Sequence, residues 1–379
     1  MKYNNWQGFI NEYLRDNEDV TEIETNGTTS AFIKKAGKRI ELENVFDSPQ
    51  EYTHSIVNPT DGLVALIKQL DEKEFLAEGR LRVNSTETAR VHIVLPPAVD
   101  YPQVTIARKS ASLGTLDSLE RSGSFDTNIH VFLEAAVSSN CTIVFSGGTG
   151  AGKTTILEAL TKFFKNDDRI GVVEDVPELR LIQPNVTYLH STLWKPGRNI
   201  NDVASLSWCV QQLNRQRVDK IIVGETRGKE FADFIVAANS GCPGSLTTIH
   251  ANNSRTALQK MGHFIILGTP QPIRLANESI AQTIDFVVQL GLSSRGEHKI
   301  LSIDEISDTL GNGEDAQIAT NPVYIYHDKE NMWEFKGYIG DKMQAKFKRA
   351  GYNPRTFQKE SEILGGYTGI PVNKFRFNK

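Results

Sequence analysis

The sequence predicts an α/β protein of two domains, and three features of the 379-residue chain point to that class. An apolar strand-like run, Cys141–Phe145, leads directly into a glycine-rich loop, and a helical pattern follows the loop. Further apolar runs end in polar residues later in the chain, as strands of a parallel sheet do. The first 110 residues instead show short β-type runs with turn signals, which is typical of an α+β domain.

The boundary between the domains is expected where the composition changes to serine, glycine and charge, from about Lys109 to Asp126. A helix should follow, because apolar residues then recur at helical spacing, at Ile129, Phe132, Leu133, Ala136 and Val137. We therefore predict an N-terminal domain, a hinge, an α/β domain and a basic tail, at residues 1–110, 111–126, 127–335 and 336–379.

Charge is distributed unevenly along the chain. The net charge is −4, yet residues 336–379 hold ten basic and three acidic side chains, which gives this tail +7 and the remainder −11. The overall balance argues against a protein built mainly to hold nucleic acid, so no sequence-specific nucleic-acid binding is expected. A basic tail is most often a solvated surface, and the alternative is docking onto an acidic partner or an anionic membrane.

The cysteines and the apolar runs indicate the cellular compartment in which the protein is found. Cys141, Cys209 and Cys242 are scattered without a CxxC pair, as expected for small buried residues in a reducing cytosol. The amino terminus has no signal-peptide h-region, and no apolar run approaches the ~18 residues of a transmembrane helix. We expect a cytoplasmic protein whose membrane contact is peripheral.

The glycine-rich loop carries the strongest chemical signal. It has the pattern G-x-x-x-x-G-K-T, and the residues expected around phosphate are Gly147, Gly148, Thr149, Gly150, Ala151, Gly152, Lys153, Thr154 and Thr155. Glycines let backbone N–H groups turn toward phosphate oxygens, and the following helix adds its partial positive charge. Lys153 should reach the β- and γ-phosphates of ATP, and the Thr154 hydroxyl should ligate Mg²⁺. A glycine-rich turn with a chance lysine is the alternative, and the flanking strand and helix argue against it.

Two later strands end in carboxylates. The run Ile170–Val173 leads into Glu174 and Asp175, and a second apolar strand ends in Gly224 and Glu225. Ligands of parallel sheets lie beyond the carboxyl ends of the strands, so these side chains are expected near the phosphates. Glu225 is our candidate to orient or deprotonate the attacking water. A solvated acidic turn and a strand that ends in a surface glutamate are the alternatives.

A third downstream segment, Gly244–Asn252, presents threonines and His250 at the end of a strand. One interpretation of His250 is a γ-phosphate sensor that couples hydrolysis to movement. The other is a hydrogen-bonded structural histidine, the usual role of a lone histidine. The sequence leaves both interpretations open.

The four segments GGTGAGKTT, VVEDVPEL, IIVGETRG and LTTIHAN resemble, in the same order, the Walker A, Asp-box, Walker B and His-box motifs of the secretion traffic ATPases. That family serves type II and type IV secretion, conjugation and twitching motility. The resemblance extends over residues 18–305, through VTEIETNG, RLRVNSTETARVHIVLPP and VTIARKS. The size and the short basic tail look most like the DotB/TraJ branch of type IVB secretion and conjugation. The tetracysteine motif of many type II members is absent, so no zinc is expected.

The resemblance implies a RecA-like P-loop NTPase domain, a PAS-like N-terminal α+β domain, a homo-oligomer that is a hexamer, and inner-membrane secretion or conjugation machinery as the partner. When the roles of the family's motif residues are carried over to the matching positions, the resemblance implies that Glu174, Glu225 and His250 are catalytic residues. It also makes Arg90 and Arg108 the preferred pair of arginines to neutralise phosphate charge, with the hinge letting the N-terminal domain fold over bound ATP. Surface ion pairs irrelevant to turnover are the alternative for both arginines.

The expected function is ATP hydrolysis that powers protein or nucleoprotein transport through a type IV secretion or conjugation system. A pilus retraction or assembly motor remains an alternative, as does an ATP-binding scaffold with little turnover. Glu174, Glu225 and the arginines argue against a scaffold, because a pure switch does not need all of them. A small-molecule P-loop kinase would need an acceptor pocket and a lid in place of the Glu225 and His250 motifs.

Overall fold

A computed structural model gives the fold of most of the chain. The described residues are 6–17, 19–26, 31–35, 38–43, 45–46, 48–58, 60, 62–67, 76–84, 88–108, 114–175, 178–191, 204–310 and 317–353. Residues 111–113 of the predicted hinge and 354–379 of the predicted tail lie outside these ranges. The chain divides into two compact units: the described residues up to 108 form the N-terminal unit, and those from 114 onward form the C-terminal unit.

The N-terminal unit is an antiparallel sheet with short helices, and its strands are ordered β3-β2-β1-β6-β5-β4. The strands are β1 Val20–Thr25, β2 Ala31–Lys35, β3 Lys38–Leu42, β4 Leu76–Arg82, β5 Thr88–Val94 and β6 Gln103–Arg108. The helices are α1 Trp6–Ile10, continued by a π-helical turn at Asn11–Arg15, α2 Pro49–Val57 and α3 Leu63–Ile67. One face of the sheet is covered by a core in which the aromatic rings of Trp6, Phe9, Phe46 and Tyr52 pack against one another.

The C-terminal unit is built on a nine-stranded sheet ordered β15-β14-β13-β12-β7-β11-β10-β8-β9. The strands from β12 to β9 in that order are parallel. The remaining three extend the sheet in antiparallel pairing. The strands are β7 Ile143–Gly147, β8 Ile170–Glu174, β9 Val186–His190, β10 Lys220–Thr226, β11 Leu246–Ile249, β12 Phe286–Leu292, β13 His298–Leu310, β14 Gln317–His327 and β15 Met332–Phe335.

Eight helices accompany this sheet in the described residues. They are α4 Leu116–Arg121, α5 Thr127–Ser138, α6 Lys153–Thr161, α7 Leu206–Arg215, α8 Glu230–Asn239, α9 Ser254–Gly268, α10 Ile273–Thr283 and α11 Asp341–Arg349. Nowhere in the described ranges does a helix combine the length and the hydropathy needed to cross a membrane.

Helices cover both faces of the parallel strands. Helices α5 and α6 contribute to one hydrophobic cluster, and α7 to α10 contribute to the other. Strands β7, β8 and β11 are buried along their whole length, as strands of a parallel sheet with both faces covered are. With both faces covered, the carboxyl ends of the strands are where ligands of such sheets bind.

The predicted hinge is too long at its carboxyl end. Residues from 114 onward belong to the C-terminal unit, where Leu116 and Phe125 are buried in the core. The polar residues that suggested a linker instead form a capping box at the start of α4, in which Thr115 and Ser118 each accept the other's backbone N–H. The prediction of a flexible hinge is therefore wrong for residues 114–126.

The predicted basic tail belongs to the folded C-terminal unit as far as residue 353. Helix α11 and the segment before it contribute three fully buried side chains to the core: Ile339, Met343 and Phe347. Basic residues such as Lys348 and Arg349 lie on the exposed side of this amphipathic helix, so the number of basic residues did not indicate a separate tail. The boundary predicted at residue 335 is therefore wrong.

Candidate nucleotide-binding site

The glycine-rich loop joins the end of β7 to the start of α6, and its backbone has the shape that phosphate binding needs. Gly150 and Gly152 have φ values of 73° and 88°, in the left-handed region that favours glycine. Residues 148–150 are exposed, whereas Gly147 is buried: a Cβ there would lie 2.7 Å from the carbonyl oxygen of Leu290 on β12. The loop is therefore fixed at its base and open at its rim.

Helix α6 begins at Lys153, and no side chain caps its first turn. The free amides of that turn and the helix dipole favour an anion in the loop. The Lys153 ammonium lies beneath the loop, where Nζ donates to the carbonyl oxygens of Gly147 at 2.9 Å and Gly148 at 2.7 Å. Burial lowers the pKa of Lys153, so a bound phosphate would stabilise its charged form.

The residues of the loop fit a nucleoside triphosphate held with Mg²⁺. The exposed rim, which includes Thr149, presents backbone to solvent, and Ala151 braces the loop by donating its N–H to Gly148 at 3.3 Å. Thr154 lies in the first turn of α6, and its hydroxyl is the hard oxygen donor that Mg²⁺ prefers beside phosphate oxygens. Thr155 is exposed next to it.

Glu225 lies at the carboxyl end of β10, and both oxygens of its carboxylate have partners. His250 Nε2 lies 3.1 Å from Oε1, and Arg227 Nη2 donates to Oε2 at 2.8 Å. Burial by itself would raise the pKa of Glu225, but the hydrogen bond and charge of Arg227, with smaller contributions from the neighbouring His250 and Lys153, outweigh burial and lower it. The side chain is therefore an ionised carboxylate in a fixed orientation, which suits the orientation of a water molecule.

His250, just after β11, connects the loop to this carboxylate. Its Nδ1 lies 3.2 Å from Lys153 Nζ, while its Nε2 faces Glu225. Burial, and after it the charge of Lys153, lower the pKa of His250. A neutral ring with its hydrogen on Nε2 satisfies both contacts, since it accepts from the ammonium and donates to the carboxylate. The sequence did not place the ring, and these contacts put it inside the site.

Glu174, at the end of β8, has a different environment from Glu225. It is 3% exposed, and its Oε1 accepts the backbone N–H groups of Glu178 at 2.8 Å and Leu179 at 2.9 Å. Its side chain packs against Gly224, where a Cβ would lie 3.0 Å from Glu174 Cγ. These contacts hold Glu178 and Leu179 beside the end of β8, and a catalytic role for Glu174 stays a prediction.

Two residues to which the sequence analysis gave no role join the site. Arg227 Nη1 lies 3.5 Å from Asp175 Oδ2, while Nη2 of the same guanidinium binds Glu225. Ser191, after β9, donates its hydroxyl to Asp175. In the sequence, Glu174 and Asp175 form one acidic pair. The sequence did contain a signal that these two carboxylates have different surroundings. Side chains alternate along a strand, so when Glu174 points into the interior, the side chain of Asp175 points to the opposite side of the sheet.

The two arginines predicted to act together lie on opposite faces of the N-terminal sheet. Arg90 is the cross-strand partner of Ala107, and Arg108 is the partner of buried Ala89. Because cross-strand partners share a face, Arg108 lies on the covered face. Its guanidinium donates there to three backbone carbonyls, those of Leu14, Asn17 and Val20. The two side chains thus lie on opposite faces of the sheet, and the role of Arg90 and Arg108 in neutralising phosphate charge stays a prediction.

Comparisons with known proteins agree with the motifs. The model of a family described as "Type II/IV secretion system protein" matches residues 5–299. A probable conjugal transfer protein TrbB from Sinorhizobium fredii is 27% identical over 286 residues, which are 74% of this chain and 82% of the relative. A type IV secretion system protein VirB11 from Bartonella henselae is 31% identical over 207 residues, which are 45% of this chain and 57% of the relative.

Solved structures share the fold. The ATPase DotB from Yersinia pseudotuberculosis matches with a TM-score of 0.58 and 14% identity, over 80% of this chain and 81% of that one. The predicted fold class, a RecA-like P-loop domain preceded by a separate α+β domain, is confirmed.

Proposed function

The chain belongs to the type II/IV secretion system protein family, as its resemblance to the secretion traffic ATPases predicted, and we propose that it hydrolyses ATP to power transport of protein or nucleoprotein through a type IV secretion or conjugation system. Relatives named for conjugal transfer and type IV secretion support this choice of system. The narrower type IVB branch stays a prediction.

One observation carries the proposal of hydrolysis beyond that of binding. Lys153 at the start of α6, His250 after β11 and Glu225 at the end of β10 form a chain of contacts. Lys153 Nζ lies 3.2 Å from His250 Nδ1, and His250 Nε2 lies 3.1 Å from Glu225 Oε1. Nucleotide binding requires the loop and its lysine. A fixed, ionised carboxylate one histidine away is required only when a water molecule must attack the phosphate.

In the proposed reaction, the amides of the loop and Lys153 hold the β- and γ-phosphates of ATP. Glu225 accepts a hydrogen bond from the attacking water and orients it in line with the bond that breaks, and the products are ADP and inorganic phosphate. Thr154 would help to hold Mg²⁺, which supplies neutralising charge for the phosphate oxygens. His250 can respond to changes at the phosphates because it contacts both Lys153 and Glu225.

The proposal extends to assembly and location. We propose a homo-hexamer that works at the cytoplasmic face of inner-membrane secretion or conjugation machinery. Light scattering in the presence of Mg²⁺ and a non-hydrolysable ATP analogue tests the assembly. A species that remains monomeric under every nucleotide condition would contradict it.

Steady-state release of phosphate from Mg²⁺-ATP by the purified full-length protein tests the proposed activity. We expect many phosphates released per subunit, and removal of Mg²⁺ with a chelator should stop the reaction. Tight ATP binding with less than one phosphate released per subunit would instead indicate a nucleotide-dependent scaffold. Loss of conjugation or of protein export after deletion of the gene, measured beside twitching motility, separates the transport role from that of a pilus motor.

A further inference from the structure

Arg227 joins two strand ends of the site through one guanidinium group. Its Nη2 donates to Glu225 Oε2 at 2.8 Å, and its Nη1 lies 3.5 Å from Asp175 Oδ2. Glu225 lies at the carboxyl end of β10 and Asp175 directly follows β8, and these two strands are parallel neighbours. Asp175 is itself anchored, because it accepts a hydrogen bond from the hydroxyl of Ser191, which directly follows the adjacent strand β9. The guanidinium thus bridges the carboxyl ends of the sheet beside the nucleotide loop.

The backbone of Arg227 is fixed as well as its side chain. Its N–H donates to Glu230 Oε1, and the N–H of Gly228 donates to the same oxygen at 2.7 Å. Glu230 lies in the first turn of α8, where a carboxylate is favoured by the helix dipole. The turn between β10 and α8 is therefore held at one end by Glu230 and at the other by the two carboxylates that Arg227 bridges.

We propose that Arg227 is a positioning residue for ATP hydrolysis: its guanidinium bridges Asp175 and Glu225, and so holds the Glu225 carboxylate in the orientation in which it faces His250 and the attacking water. This inference rests on the proposed ATPase activity. Arginine suits the task because its planar fork reaches two acceptors at once, which the point charge of a lysine does not reproduce.

The competing explanation is an exposed ion pair without a role in turnover. Arg227 is 53% exposed at its side chain, and isolated surface pairs contribute little. Glu225 and Asp175 are only 27% and 30% exposed, however, and Glu225 is bound at its second oxygen by His250. Removal of Arg227 would leave the carboxylate with one partner and free to turn, whereas the loop that binds ATP would be unchanged.

The test compares the kcat for phosphate release with the Kd for a fluorescent ATP analogue in Arg227→Ala. We expect kcat to fall roughly 10- to 100-fold, as for a misplaced catalytic group, while Kd stays within about threefold of the wild-type value. Methylguanidinium ions should restore part of the lost rate in Arg227→Ala and none in Glu225→Gln. Arg227→Lys keeps the charge without the fork, and its kcat should lie between those of the wild type and Arg227→Ala.

Arg274→Ala is the matched control, because Arg274 forms an exposed pair with Glu278 on α10, at 2.6 Å, away from the strand ends. Its kcat should stay within about twofold of the wild-type value. Three results would overturn the inference: an unchanged kcat in Arg227→Ala, an ATP affinity that weakens by the same factor as kcat, or full activity in Arg227→Lys. If the alanine variant does not fold, the lysine variant alone decides the question. Inactive wild-type protein would overturn the proposed function and this inference with it, whereas active wild type beside an equally active variant overturns the inference alone.

Discussion

Two buried lysines lie at opposite ends of the parallel strands in the C-terminal unit. Lys153 is 7% exposed and Lys220 is 3% exposed, and burial lowers the pKa of both. Lys153 donates to backbone carbonyls of its loop and contacts His250. Lys220, the first residue of β10, donates to Asn140 at 2.5 Å and Pro243 at 3.3 Å, and lies over the ring of Phe164.

Burial and the number of partners therefore do not separate these two lysines, but their surroundings do. Lys153 lies beneath the exposed residues 148–150 and near the ionised Glu225, so a phosphate can reach it. Lys220 is enclosed, because only 3% of it is exposed and a Cβ on Gly244 would lie 2.9 Å from its Nζ. One end of the sheet is arranged to bind and the other to close the core.

The closed end includes a second buried charge. Asp285 precedes β12 and is fully buried, and its Oδ2 accepts the backbone N–H of Thr142 at 2.8 Å. Lys346 of α11 pairs with the same carboxylate, and Lys342 Nζ lies 3.4 Å from Oδ1. The basic residues that suggested a docking tail therefore help to attach α11 at the amino ends of the strands.

The largest effect on stability is expected when the chain is ended before Lys336, because this change removes α11 and the segment before it from the closed end. This change deletes the fully buried Ile339, Met343 and Phe347, and each such side chain contributes about 2–5 kcal/mol to stability. We expect the C-terminal unit to lose its cooperative unfolding transition, followed by circular dichroism during denaturant titration, and to lose nucleotide binding.

The control for that truncation ends the chain at Asn353 and so retains α11. Its free energy of unfolding should exceed that of the chain ended before Lys336, because the buried Ile339, Met343 and Phe347 remain in place. If the chain cut before Lys336 instead keeps the full-length unfolding free energy and normal ATP turnover, α11 is not part of the core and the docking interpretation of the segment regains support.

Lys153→Met tests the open end. We expect ATP turnover to fall roughly 10²–10³-fold or more, because the phosphates lose the charge beneath the loop. The free energy of unfolding should change by less than about 1 kcal/mol, since the loss of a buried ammonium relieves desolvation and offsets the lost hydrogen bonds. Phosphate release and denaturant unfolding on the same preparation check both parts. A variant that is active, or one that is inactive because it unfolds, would contradict the assignment.

Lys220→Met is the matched change at the closed end, and the opposite pattern is expected. The Asn140 side chain and the Pro243 carbonyl would each lose a donor at a partly buried contact, and the Asp168 carboxylate would lose the positive charge 3.9 Å from its Oδ2. Together these losses should cost roughly 2–4 kcal/mol. ATP turnover per folded subunit should stay within about threefold of the wild-type value, because Lys220 is remote from the strand ends that carry the site. A large loss of turnover without loss of stability would break the distinction between the two ends.

The open end could be predicted from the sequence in most of its parts, because its chemistry is encoded locally. The glycines of the loop determine its backbone shape, and the apolar run before them determines the strand. The different environments of Glu174 and Glu225 depend on how the Glu174 side chain packs against Gly224. The partners of Arg227 depend on the pairing of β8 with β10. Neither can be obtained from one segment alone.

The closed end and the domain boundaries were harder to predict from the sequence. A count of charges over residues 336–379 hid the helical spacing of Met343 and Phe347, four residues apart, which did signal a buried face. The serines of the predicted hinge are typical of a linker, although serine and threonine are also the residues that cap helices. Arg90 and Arg108 could have been separated by strand alternation, had the register between β5 and β6 been known.

The most direct test of the central claim, that the carboxyl ends of these strands hydrolyse ATP and do not merely bind it, is to measure the Kd for ATP and the kcat for phosphate release in Glu225→Gln. The amide keeps the size of the side chain and removes its charge. The account predicts a Kd within about threefold of the wild-type value and a kcat lower by roughly 10²-fold or more. A kcat near the wild-type value, or a loss of ATP affinity as large as the loss of turnover, would contradict it.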